Sequence, residues 1–123
     1  MHAGNILFIE GTKIAIIDYG VMGELTKEQQ NIYFLLIKGL TDYDAKQVCK
    51  IFLNHLMEPK DRVDQLTNDE IEEIENEIMK IIINCKNNNT SFNLNDMYNL
   101  NLLFNKYDLY FVRWISKIEM ALS

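Results

Sequence analysis

From Thr26 to the end of the chain, apolar residues recur every three to four positions, and a single proline, Pro59, interrupts them. That spacing commits most of the 123 residues to amphipathic helices, because side chains three and four positions apart share one helix face. Thr26-Lys27-Glu28-Gln29 reads as a capping box that opens the first helix. This helix carries Ile32, Tyr33, Leu35, Leu36, Ile37 and Leu40, apolar around most of its circumference, which predicts a central, largely buried helix. Gly39 and Thr41-Asp42-Tyr43-Asp44 are expected to end it and to cap a second helix with the inner stripe Val48, Ile51, Phe52, Leu56. Glu58-Pro59-Lys60-Asp61 is the proline break that closes this second helix. Thr67 and Glu70 form another capping box, followed by the stripe Ile71, Ile74, Ile78, Ile81, Ile82, Cys85, with Glu73 on the outer face. Asn87 to Ser91 reads as a polar loop, Asn93 caps a fourth helix with Met97, Leu100, Leu103, Phe104 and Tyr107 inward, and a last helix holds Val112, Ile115, Ile118 and Leu122.

The first twenty residues have a different character. Ile6-Leu7-Phe8-Ile9 and Ile14-Ala15-Ile16-Ile17 are short apolar runs separated by Glu10-Gly11-Thr12-Lys13, the signature of a β-hairpin. Neither run alternates with polar residues, so both faces are expected to be covered by protein. No internal repeat or linker divides the chain, whose length suits one domain. With 48% hydrophobic and 24% charged residues, it has the material for a core. Twelve basic against eighteen acidic residues, with the basic ones scattered, give a net charge of −6 and no cationic footprint for nucleic acid. No apolar run reaches the ~18 residues of a transmembrane segment, and no signal peptide is written at the N-terminus. Cys49 and Cys85 lack a CxxC partner and read as reduced, buried thiols.

Chemistry concentrates at the open end of the hairpin. With the turn centred on Gly11, Asn5 and Asp18 fall side by side, within about one strand spacing (~5 Å). An amide oxygen beside a carboxylate is a hard-oxygen pair suited to Mg²⁺, and protein kinases hold their metal ions on such an Asn and an Asp. The same residue types also serve as plain turn and cap chemistry.

His2-Ala3-Gly4-Asn5-Ile6-Leu7-Phe8 followed by Ile16-Ile17-Asp18-Tyr19-Gly20-Val21-Met22-Gly23-Glu24-Leu25 resembles the UbiB (ADCK-type) family of atypical protein-kinase-like proteins. That family carries His-Ala-Asp-x-His-Pro-Gly-Asn before the hairpin and Asp-Phe-Gly-Met-x-Gly-x-Leu after it. Asn5 corresponds to its metal-binding Asn and Asp18-Tyr19-Gly20 to its Asp-Phe-Gly. Asp42-Tyr43-Asp44 and the helix around Val112-Arg113-Trp114-Ile115 are similar to later parts of the family pattern. The resemblance implies a mainly α fold with a short N-terminal β-hairpin, a protein-kinase-like C-lobe fragment. Residues 1–25 would hold the end of the catalytic loop, the hairpin and the Asp-Tyr-Gly motif, and residues 26–123 the helical C-lobe. It further implies Mg²⁺ and ATP as cofactors held through Asn5 and Asp18, phosphoryl chemistry, and a link to isoprenoid-quinone biosynthesis with lipid or quinone-biosynthesis proteins as partners.

The departures set a limit on these expectations. Ala3 replaces a Pro and Tyr19 a Phe. The family's catalytic-loop Asp would stand one position before Met1, and its N-terminal lobe, Ala-rich nucleotide loop and ATP-contacting Lys have no counterpart here. Phosphoryl transfer needs phosphate cradling, a lysine and metal together, so a truncated chain, inactive alone and partnered by the missing N-terminal lobe, is the expectation. The alternative, from a different class, is a stand-alone helical interaction or regulatory module. His2 is expected to pack a loop, His55 to be partly buried on the second helix, Trp114 and the Tyr and Phe residues to be core, and Asp64, Asp69, Glu70, Glu72, Glu73, Glu75 and Glu77 to form a solvated acidic face.

Overall fold

The computed structural model describes the backbone of residues 5–10 and 13–18 and the whole of residues 23–122. Strands β1 (Asn5–Glu10) and β2 (Lys13–Asp18) pair antiparallel, each one residue longer at either end than its apolar run. Glu10 pairs with Lys13, so facing positions sum to 23, a half-step from the register expected for a hairpin centred on Gly11, whose turn lies outside the described residues.

Helix α1 (Lys27–Thr41) starts at the expected capping box: the Thr26 hydroxyl accepts from the Gln29 amide (3.1 Å), and the Gln29 side chain accepts from the Thr26 amide (3.0 Å). The helix contacts β2 and, more extensively, the next helix. It is not buried all round. Ile32, Tyr33, Leu36, Ile37 and Leu40 share one face and are buried, whereas Phe34 and Leu35 keep 36% and 42% of their surface in solvent. Positions 34 and 35 fall on the opposite side of the helical wheel, and a helix at the margin of a core buries only one side whatever its composition.

Gly39 does not end α1; the helix runs through it to Thr41. Its role is close approach. A Cβ at this position would stand 2.9 Å from Val48 Cγ2 on helix α2 (Ala45–Ile51), and Val48 has no exposed surface into which to retreat. Gly39→Ala therefore gains about 1 kcal/mol of helix propensity but meets overpacking of about 1–3 kcal/mol. We expect net destabilisation in thermal unfolding, and a Gly39→Ala/Val48→Ala pair that loses less than the sum of its single variants.

Asp44 caps α2 by accepting from the Gln47 amide (3.1 Å), as the acidic turn predicted. At Phe52 the helix widens into a π-helical turn, Phe52–Leu56, whose terminal carbonyls at Leu53 and Asn54 accept from the Lys60 ammonium. Widening re-aims the inner stripe: Phe52, Leu53 and Leu56 are buried, while His55 is exposed instead of partly buried. The chain leaves this turn as β3 (Met57–Glu58), already out of helix before Pro59, and β3 pairs antiparallel with β4 (Tyr110–Phe111). Periodicity cannot reveal such two-residue strands.

A short α3 (Lys60–Asp64) leads to α4 (Asn68–Asn88), opened by the Thr67–Glu70 capping box (3.1 and 2.9 Å). Ile74, Ile78, Ile82 and Cys85 are its buried residues, with Ile71 and Ile81 half-buried beside them. The helix absorbs Asn87 and Asn88 from the expected loop and stops at Asn89, whose φ of 55° is a left-handed conformation that Asn tolerates. Helix α5 (Leu94–Lys106) begins at Asn93, which accepts from the Asn95 (2.9 Å) and Asp96 (3.2 Å) amides. The last helix, α6 (Ile115–Leu122), starts three residues later than Val112, because Tyr110–Phe111 is used as strand.

The core joins α1, α2, the π turn, α4, α5 and α6. At one end stand three rings, Phe52, Phe104 and Phe111, with centroids 5.6 to 6.2 Å apart. Not every aromatic residue is core: Tyr98 and Tyr110 are exposed and Trp114 is half-buried. None of the described helices is long and apolar enough to cross a membrane.

Candidate functional site

Two short apolar strands give the site its frame. Their β-branched residues favour extended backbone, and the two strands pair antiparallel from Glu10 with Lys13 onward. That register runs Ile9 with Ile14, Phe8 with Ala15, Leu7 with Ile16 and Ile6 with Ile17, and ends with Asn5 opposite Asp18. Directly opposed residues of an antiparallel pair have Cα atoms roughly 4.5–5.5 Å apart. Asn5 and Asp18 thus occupy the last rung together, and their residue types supply an amide oxygen and a carboxylate, the donor chemistry that suits Mg²⁺. His2, Tyr19, Gly20, Val21 and Met22 lie outside the described residues.

Elsewhere the titratable groups brace the fold. The acidic run lies along α3 and α4, with Asp64, Asp69 and Glu72 exposed and Glu70, Glu75 and Glu77 half-buried. Glu73 keeps 44% of its side chain in solvent, on the expected outer face, and makes an ion pair there. It accepts from Lys106 Nζ (2.7 Å) on α5, and that bond together with one from the Tyr107 hydroxyl holds its carboxyl below the usual range. Burial, then Glu73, pushes the Tyr107 phenol up to about 12. Arg62 completes the brace by donating from Nε to the Tyr107 carbonyl (3.2 Å). A helical wheel of α4 alone cannot show this, since the partners come from another helix. Among the described residues, no group of three His, Cys, Asp or Glu stands together as a metal cage.

Both cysteines are buried free thiols, as their spacing suggested. Burial, and secondarily the charge of Glu75, pushes Cys49 up to about 12, and Cys85 lies 3.7 Å from an Asp96 carboxylate oxygen. The thiolate is the reactive species, so neither thiol should react with Ellman's reagent near neutral pH in the native chain, and both should react in denaturant. Fast native labelling of Cys49 would contradict the packing around it.

The sequence on this frame decides which proteins the chain is similar to. Residues 1–52 match the ABC1 atypical kinase-like domain. The match takes in the hairpin, the Asp-Tyr-Gly run, α1 and α2, and stops where α2 widens into the π turn at Phe52. The ABC1 match supports the kinase-like resemblance at this coarse level, and it contains both Asn5 and Asp18. No curated protein and no solved structure matches the chain.

Proposed function

We propose that this chain is the C-lobe portion of an ABC1-type atypical kinase-like protein and that Asn5 and Asp18 are its metal-holding pair. One observation carries the reading: the two residues whose types fit Mg²⁺ share the last rung of the hairpin, inside the segment matched to the kinase-like domain. When bound, Mg²⁺ would neutralise and orient ATP phosphates. The protein's own residues would provide one charged and one neutral oxygen, fixed by the ladder. Phosphoryl transfer would need two further groups beside this pair, a catalytic-loop carboxylate and an ATP-contacting lysine. A role supporting isoprenoid-quinone biosynthesis rests on the family resemblance alone.

The pair is testable on the chain itself with Mn²⁺, a paramagnetic substitute for Mg²⁺. Mn²⁺ should broaden the Asn5 and Asp18 amide resonances first and only weakly, because such ions rely on substrate phosphates to complete their coordination. Asp18→Asn should remove the selective broadening. Uniform broadening along the acidic face of α4 would contradict the assignment.

A second reading, a helical interaction module without chemistry, draws support from α5, where Leu94, Tyr98 and Leu102 are exposed at four-residue spacing. Size-exclusion chromatography separates it: concentration-dependent association favours the module, and a monomer at all concentrations opposes it.

A further inference from the structure

Of the 13 residues of α5, only Asp96 and Lys106 are charged, and both turn toward α4. Asp96 Oδ2 stands 3.7 Å from Cys85 Sγ, and Lys106 Nζ is bound to Glu73. What remains on the outer side of α5 is neutral. Leu94, Tyr98 and Leu102 keep 41%, 60% and 52% of their surface in solvent, with exposed Asn95 and half-buried Asn101 beside them. Positions four apart lie roughly 40° from one another around a helix, so these three side chains form one stripe about 12 Å long. The pattern reads the same in both directions. Leu94 and Leu102 stand four positions from Tyr98 on either side, and Asn95 and Asn101 stand three.

We infer that this stripe is a contact between two copies of the chain, packed antiparallel about a two-fold axis level with Tyr98. The inference rests on the reading of α5 as the interacting face of a helical module, and it adds the partner. Charge selects that partner. With a net charge of −6, two copies repel wherever their acidic surfaces meet, and the outward side of α4, with Asp69 and Glu72 exposed, is such a surface. A basic partner would be drawn to α4, since α5 offers it no charge to complement. A neutral face lets like chains approach. A two-fold contact also requires a self-complementary patch, in which residue i meets residue j and j meets i. Here the axis brings the two Tyr98 rings together, and it places Leu94 and Asn95 of one copy in the same layer as Asn101 and Leu102 of the other. The leucines shield the rings from water, and the asparagine amides, each with a donor and an acceptor, pair across the layer. A contact confined to one 13-residue helix is small, so the dissociation constant should be weak, on the order of 100 µM.

The test is sedimentation equilibrium of the whole chain from about 10 µM to about 1 mM, a range that brackets the expected dissociation constant. The parent should pass from monomer to dimer and stop there. Tyr98→Asp and Tyr98→Lys should each raise the dissociation constant at least about tenfold, because the axis sets two like charges face to face. A 1:1 mixture of the two variants should return to dimer, since only a residue on the axis meets its own counterpart. Tyr98 is exposed, so both variants should keep the parent's urea midpoint at low concentration. Dimers that persist in both variants overturn the inference and move the interacting face of the module elsewhere. Loss of dimer in both variants without recovery on mixing overturns the two-fold arrangement. A parent that stays monomeric throughout overturns the contact and the module reading together.

Discussion

Phe104→Ala is expected to lower the unfolding free energy by about 3–5 kcal/mol. Phe104 is fully buried on α5 and touches two other rings, Phe52 at the start of the π turn and Phe111 on β4, at centroid distances of 5.6 and 6.2 Å. Truncation removes the burial of one large side chain, leaves a cavity that three different elements would have to close, and ends two aromatic contacts of about 0.5–1.5 kcal/mol each. Against a typical domain stability of about 5–15 kcal/mol, this is a large fraction. Urea unfolding should show a much lower midpoint with little change in slope. Tyr98→Ala on the same helix, at an exposed position, should stay within about 0.5 kcal/mol of the parent. Similar losses for the two variants would show that α5 presents a different face to the core.

How much of this architecture the sequence reveals depends on the range of the interaction. Helix starts are local, and Thr26, Asp44, Thr67 and Asn93 all cap where expected because each acts on amides two or three residues ahead. The α4 stripe is equally legible, since a long helix repeats its period often enough to be read. Failures occur where a distant partner decides. Gly39 looks like a breaker but is a contact with Val48, and the ion pair that solvated Glu73 makes with Lys106 on α5 cannot be read from α4 alone. The β3–β4 pair joins residues more than fifty positions apart and is too short to carry a pattern. His55 falls outside the expected inner stripe because α spacing does not hold through a turn that is π-helical.

The candidate site divides in the same way. Its rung is legible because two apolar runs of equal length around a short polar link set a narrow choice of register, and Asn5 stands opposite Asp18 although the observed register differs by a half-step from one centred on Gly11. The motif residues Tyr19 to Met22 lie outside the described residues.

Asp18→Asn carries the other large expected effect, on nucleotide binding. In a two-lobed protein that supplies the ATP-contacting lysine and the catalytic-loop carboxylate ahead of this chain, Asp18 and Asn5 would hold Mg²⁺, which would neutralise phosphate charge and so strengthen ATP binding. Removing the charge of Asp18 leaves two neutral amides, a poor set for a hard dication. Asn5→Ala leaves the carboxylate and should weaken the effect without ending it. The deciding measurement is calorimetric titration of ATP into this two-lobed protein with and without Mg²⁺. The account predicts that Mg²⁺ tightens binding in the parent at least about tenfold, ~1.4 kcal/mol, and that Asp18→Asn loses most of this gain. Equal Mg²⁺ dependence in the parent, Asp18→Asn and Asn5→Ala would contradict it and leave the two residues as turn chemistry at the end of a hairpin.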